Sequence, residues 1–106
     1  MPSNAKDLKN PLVGNTSVLK NARVLYISYC APCHGKNGEG NGPAAAGLQI
    51  KPADHTSEKV QQQTDGALYW MISTGHAPMP PYQKTLTDNQ RWELVNYIRT
   101  LAKHKK

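Results

Sequence analysis

Apolar residues along this chain recur at helical rather than alternating intervals. Val18, Ala22, Leu25 and Tyr29 fall at steps of four, three and four, with Leu19 and Tyr26 beside them. That is the stripe of an amphipathic helix over 17–29, with Thr16 or Ser17 as its N-cap, running straight into Cys30. The pattern then breaks. Gly35, Gly38, Gly40, Gly42, Pro43, Gly47 and Pro52 punctuate residues 35–54 too densely for a helix. A loop of that length in a small domain wraps a ligand or carries a function. A short helical turn is predicted over 57–62. A further helix is predicted over 65–74, with Thr64 as N-cap, Leu68, Met71 and Ile72 on one face, and Gly75 as its stop.

The segment from Gly75 to Tyr82 holds Pro78, Pro80 and Pro81, which exclude helix and predict an extended path. The last helix announces itself by a capping box, Thr87 with Gln90, and Asp88 suits its dipole. Trp92, Val95, Ile98 and Leu101, with Leu94, Tyr97 and Ala102, form its apolar face, and Lys103 and Lys105 sit at the end that favours cations. No stretch alternates like a strand, and no internal repeat appears. The predicted fold class is all-α, with three main helices and short turns.

Residues 1–15 are polar, with Pro2, Pro11 and Gly14, and are read as a lead-in or linker without its own core. Residues 16–106 are read as a single domain. Only 38% of the 106 residues are hydrophobic, which is poor for a self-sufficient core and suits a large apolar ligand in the middle.

Thirteen Lys and Arg against seven Asp and Glu leave a net charge of +6. Such a balance admits nucleic acid, an anionic membrane or an acidic protein surface as partner. No nucleic-acid motif accompanies it, so nucleic acid is set aside. A small basic cluster, Lys103, His104, Lys105 and Lys106, closes the chain. Met1 to Gly14 lacks the apolar core of a secretory signal, and no apolar stretch reaches membrane-spanning length.

Both cysteines lie in Cys30-Ala31-Pro32-Cys33-His34, the attachment signature of c-type haem. The spacing has a physical reason. Two thiols on one turn can reach neighbouring vinyl groups of a porphyrin and form thioethers, and the next residue places an imidazole under the iron. Two other readings are weighed. A redox dithiol normally follows a strand, and none is predicted here. A zinc half-site would need two more ligands, and His55, His76 and His104 carry no paired motif. For the opposite axial position Met79 is the candidate, because its proline-flanked segment is stiff and far enough along the chain to cross to the other face. Met71 is the rival thioether, in mid-helix where Met is usually core, and His76 is the rival imidazole. His/Met ligation would favour ferrous iron and raise the potential.

With these motifs in hand, the chain resembles a class I cytochrome c over residues 16–102. The order of elements carries the resemblance: a first helix containing Arg23-Val24-Leu25-Tyr26, the CxxCH, a long loop, a middle helix, Ala77-Pro78-Met79-Pro80 and a last helix. The resemblance implies a small cytochrome c fold around one covalent haem c, with Cys30, Cys33, His34 and Met79 holding it and no substrate turned over. It implies tight crossing of the first and last helices, with Ala22 where the family has Gly and Tyr97 or Trp92 as the aromatic. It implies that a proline carbonyl accepts the second N–H of His34, with Pro43 as the counterpart, and that Tyr69 and Trp70 lie near the propionates, plain packing being the other reading of both.

The function implied is electron transfer between respiratory-type redox partners, such as a quinol-oxidising complex and a terminal oxidase. Acidic patches on those partners would meet lysines near the haem edge, with Lys36, Lys51 and Lys84 as candidates. Covalent attachment implies a periplasmic or otherwise extracytoplasmic location, with a leader or anchor removed from this chain. The alternatives are a haem domain of a larger oxidase, reductase or membrane complex, and a peroxidase or gas sensor, which would need an open sixth position.

Overall fold

The computed structural model describes residues 4–48, 50–76 and 79–102. Five α-helical segments order the described chain: α1 (Leu19–Tyr29), α2 (Ala31–His34), α3 (Glu58–Gln61), α4 (Asp65–Thr74) and α5 (Asp88–Thr100). Short 3-10 turns cover Ala5–Asp7, Thr16–Val18 and Ala45–Gly47. Among the described residues there is no strand, only an isolated bridge between His76 and Met79. The all-α class is therefore observed.

Local signals place the helix ends. Thr64 accepts from the Ala67 N–H and starts α4, and Gly75 ends it. Thr87 and Gln90 make both halves of the capping box on α5. Ser57 caps α3. The start of α1 departs from expectation. Asn15, in extended backbone, accepts from the Ser17 N–H, and Thr16–Val18 form a 3-10 turn before the α-helix begins at Leu19. The capping function sits one residue early because Asn15 is the last residue with non-helical backbone.

The core forms where α1 and α5 pack, the most extensive helix pairing in the molecule. Ala22 and Tyr26 of α1 are fully buried, as are Leu94 and Val95 of α5, with Trp92 and Ile98 nearly so. Ala22, where the resemblance implies Gly, thus keeps its methyl wholly out of solvent. At the edge of this contact Asn21 donates to Glu93 at 2.7 Å. Arg99 ties α5 to the α3–α4 corner by donating to Asp65 at 2.9 Å and to the Gln61 carbonyl at 2.9 Å.

The lead-in is docked rather than free. The Asn10 amide donates to Asp65 at 3.0 Å and to Asn96 at 2.7 Å, and Asn96 donates to the Leu12 carbonyl at 2.8 Å. Ala5 is buried where the lead-in crosses α4. Gly66 permits that crossing, because a Cβ there would stand 2.3 Å from the Ala5 carbonyl oxygen.

No helix among the described residues is long and apolar enough to cross a membrane. The basic cluster Lys103, His104, Lys105 and Lys106 lies outside the described residues, as do Ala77 and Pro78.

Candidate functional site

α2 is a single turn, and a single turn leaves its carbonyls without partners of its own. The glycine-rich loop supplies them. The carbonyls of Ala31, Pro32, Cys33 and His34 accept from the N–H groups of Gly35, Ala44, Gly42 and Gly40, at 2.7 to 2.9 Å. The loop is thereby laced onto the CxxCH turn and fixes where its side chains point.

One cavity of about 390 Å³ opens beside this turn. Cys30, Cys33 and His34 border it, and Met79, Met71 and His76 border it too. Leu48, Val60, Leu68, Ile72 and Ile98 supply apolar wall. The sequence-predicted Cys30, Cys33, His34 and Met79 are thus brought to one space. Met71 shares that space instead of being plain core, and Lys51 lies on its border, whereas Lys36 and Lys84 are exposed elsewhere.

The Met79 segment is not simply extended. His76 and Met79 exchange both backbone hydrogen bonds, at 3.0 and 2.7 Å, so these two residues are paired. The N–H groups of Tyr82 and Gln83 then donate to the Ile72 and Ser73 carbonyls, each at 3.1 Å. The Tyr82 hydroxyl reaches across to the Tyr29 carbonyl at 3.0 Å, and the two rings meet edge to face. Tyr82 therefore joins the Met79 segment to the residue before Cys30.

One expectation needs correction, and two more of the expected residues lie away from the cavity. His34 Nδ1 lies 2.9 Å from the carbonyl of Ala53, not that of Pro43. The stretch around Pro43 is already committed, since Gly42 and Ala44 bond back onto α2, and the chain reaches Nδ1 only after Pro52. Tyr69 does not border the cavity; it stacks on Trp92 with ring centroids 3.9 Å apart, hydrogen-bonds Asp88 and lies under the Arg91 guanidinium. Trp70 does not border the cavity either. Both follow Leu68 on α4, but the face that meets the cavity is the one carrying Leu68, Met71 and Ile72.

His55 was missed. Its ring stacks on His34 at a centroid distance of 4.0 Å, and Tyr26 lies 2.7 Å from its Nδ1. A histidine two residues after Ala53, which supplies the His34 acceptor, was the available signal.

Burial sets the protonation states. It pushes the Cys30 thiol up to about 12, with Cys33 adding to the rise, so Cys30 remains a thiol and does not resemble an activated redox dithiol. His34 is lowered by burial, partly offset by the Ala53 carbonyl. His55 is lowered to about 3 by burial, with His34 contributing and Asp54 opposing. Both imidazoles are therefore neutral at ordinary pH, the form that can donate a lone pair to a metal.

The donor set fits a covalently held haem. Two thiols lie on one turn, an imidazole with its Nδ1–H on a carbonyl follows, a thioether borders the same space, and the remaining walls are largely apolar. Residues 17–98 match the family model described as cytochrome c oxidase, cbb3-type, subunit III. Among solved structures, the chain is similar to one in the reducing HAO-like protein complex Kustc0457/Kustc0458 of Kuenenia stuttgartiensis, with 29% identity and a TM-score of 0.79 over 91% of this chain. This chain spans 50% of that one. It is also similar to the c-type cytochrome KustC0563, with 26% identity and a TM-score of 0.66, over 77% of this chain and 98% of that one. A comparison with curated proteins finds no match. Motif, fold and family match converge: the chain belongs to the c-type cytochrome family described as cytochrome c oxidase, cbb3-type, subunit III, whose domains carry covalently attached haem c.

Proposed function

We propose that the protein is a one-electron carrier, with Cys30 and Cys33 as the thioether anchors and His34 and Met79 as the two axial donors. The observation that carries this reading is the meeting of both thiols, a neutral imidazole and a thioether at one largely apolar cavity. When bound, haem c supplies an iron that alternates between ferric and ferrous states. The chain does the rest. The Ala53 carbonyl accepts the Nδ1–H of His34, which leaves Nε2 free as donor and raises its basicity. Met79 offers a soft thioether that favours the reduced state. The apolar walls limit water. With both axial positions filled, no substrate is turned over, and a peroxidase or gas-sensing role is disfavoured.

Redox partners with acidic surfaces suit the +6 charge of the chain, with Lys51 at the cavity border as a steering residue. A place outside the cytoplasmic membrane, such as the periplasm, and service in a respiratory chain belong to the same proposal. The similarity to the c-type cytochrome KustC0563, over 77% of this chain, supports the electron-carrying reading. A second reading, an electron-transfer domain serving a larger assembly, is supported by the match to half of a chain in a multi-protein complex. In both readings the working domain is 16–106, with the lead-in of residues 1–15 preceding it.

The test is the ferric spectrum. His/Met ligation predicts a low-spin spectrum with the weak long-wavelength sulfur-to-iron band and slow cyanide binding. A high-spin spectrum, or rapid binding of cyanide or carbon monoxide, overturns the carrier reading. Oxidation by a partner oxidase should slow as salt rises, because screening weakens steering.

A further inference from the structure

The Ala53 carbonyl restrains His34 along one direction only. A hydrogen bond at Nδ1 leaves the ring able to turn about the Nδ1···O line. A flat face packed against the ring removes that freedom, and His55 presents one, 4.0 Å away with 22° between the planes. His55 is itself held on several sides. Its N–H donates to the Gly38 carbonyl at 2.6 Å, and its carbonyl accepts from the Gln61 amide at 2.8 Å. Its Nδ1 meets the Tyr26 hydroxyl at 2.7 Å, with the two rings edge to face at 5.7 Å. Tyr26 keeps its proton, since burial pushes its pKa still higher above neutrality, so its O–H is the donor. Tyr26 in turn is fully buried in α1 and packs on Tyr97 of α5 at 5.0 Å. Four rings thus run without a gap from the α1–α5 core to His34.

We propose that His55 is a positioning residue, stacked on His34 and anchored by Tyr26, that sets the angle of the His34 ring plane. The physical basis is general. A group holds its geometry only when the residues behind it are themselves locked by packing and hydrogen bonds. The proposal rests on His34 being the axial donor. It adds that the packed core, and not only the CxxCH turn, dictates how that donor is presented.

Three variants of the holoprotein test it: His55→Leu, His55→Phe and Tyr26→Phe. The readouts are the g values of the ferric state by electron paramagnetic resonance, the pattern of haem-methyl proton shifts and the midpoint potential. The first two follow the orientation of the ligand plane and would not move for a residue that only adds stability. His55→Leu should shift the g values and reorder the methyl shifts. His55→Phe keeps a flat face and should return both toward wild type. Tyr26→Phe frees the brace and should shift both in the direction of His55→Leu, by less. Wild-type values in folded His55→Leu overturn the proposal, as do equal shifts in His55→Leu and His55→Phe. If His55→Leu does not take up haem, Tyr26→Phe decides: shifted values support the brace and unchanged values overturn it. If His34 is not the donor, the wild-type protein itself lacks the low-spin His/Met signature, so that failure is distinct from this one.

Discussion

The two sides of the cavity are built differently. On the His34 side every carbonyl of the CxxCH turn from Ala31 to His34 has a loop N–H, the ring has an acceptor at Ala53, and a second ring lies flat against it. His34 is 9% exposed. On the Met79 side, among the described residues, the segment is tied by two N–H bonds to the end of α4 and one Tyr82 tether, and Met79 is half-buried. One side is fixed from many directions, and the other is fixed from few. A thioether bond is also weaker than an imidazole bond. Ligand loss should therefore begin at Met79, and the His34 side should stay assembled when it does.

The largest test replaces the donors themselves. Met79→Ala should leave the haem attached, open the iron to carbon monoxide and lower the potential by on the order of 0.1 V, a modest part of the ~0.8 V that axial ligands command. His34→Ala should instead abolish the low-spin state. Met71→Ala should leave the ligand field unchanged, and if it behaves as Met79→Ala was expected to, the two methionines exchange roles. Next comes the hinge of the weaker side. Gly75 has φ +68 and ψ 178, a region open essentially to glycine, and a Cβ there would stand 2.7 Å from the Met79 carbonyl oxygen. Gly75→Ala should cost about 1–3 kcal/mol, seen in the denaturation midpoint and in faster ligand entry.

Acid should reverse the comparison. His55 is held near 3 in the folded chain by burial first and His34 next, against an ordinary value of 6.5. Between those values the unfolded chain binds a proton that the folded chain does not. Its contribution to stability is thus complete above pH 6.5 and is lost as pH falls toward 3. Urea midpoints measured across that range should decline in the wild type and flatten in His55→Phe. The smallest effect expected is for Tyr82→Phe, which deletes the tether to Tyr29 but keeps the ring. About 1 kcal/mol should be lost, read as an increase of up to ~5-fold in the rate of carbon monoxide entry. No increase would show that the tether adds nothing to the Met79 segment.

Where sequence reading succeeded, the signal was local. Thr64, Gly75, Thr87 and Gln90 mark helix ends through partners three or four residues away, and α4 and α5 start and stop where those signals stand. The CxxCH is local too. Where the sequence was silent, the partner was distant along the chain. Asn10 finds Asp65 and Asn96, separations of 55 and 86 residues, and these bonds dock the polar lead-in. Tyr69 turned to Trp92 on another helix, not to the cavity. Pro43 was displaced as acceptor because its neighbours were spent on α2.

The order of the residues by itself determined that two thiols and an imidazole share one turn, that this chain is helical, and that a proline-flanked methionine segment follows. These depend on spacing within a few residues, and backbone geometry translates spacing directly into position. Only the tertiary structure decided what stands behind the imidazole. The Ala53 carbonyl and the His55 ring reach His34 across a loop whose path is set by hydrogen bonds to α2, and Tyr26 reaches His55 only because α1 packs on α5. Contacts of that kind arise from how the loop closes and the helices pack, and no periodicity along the chain encodes them.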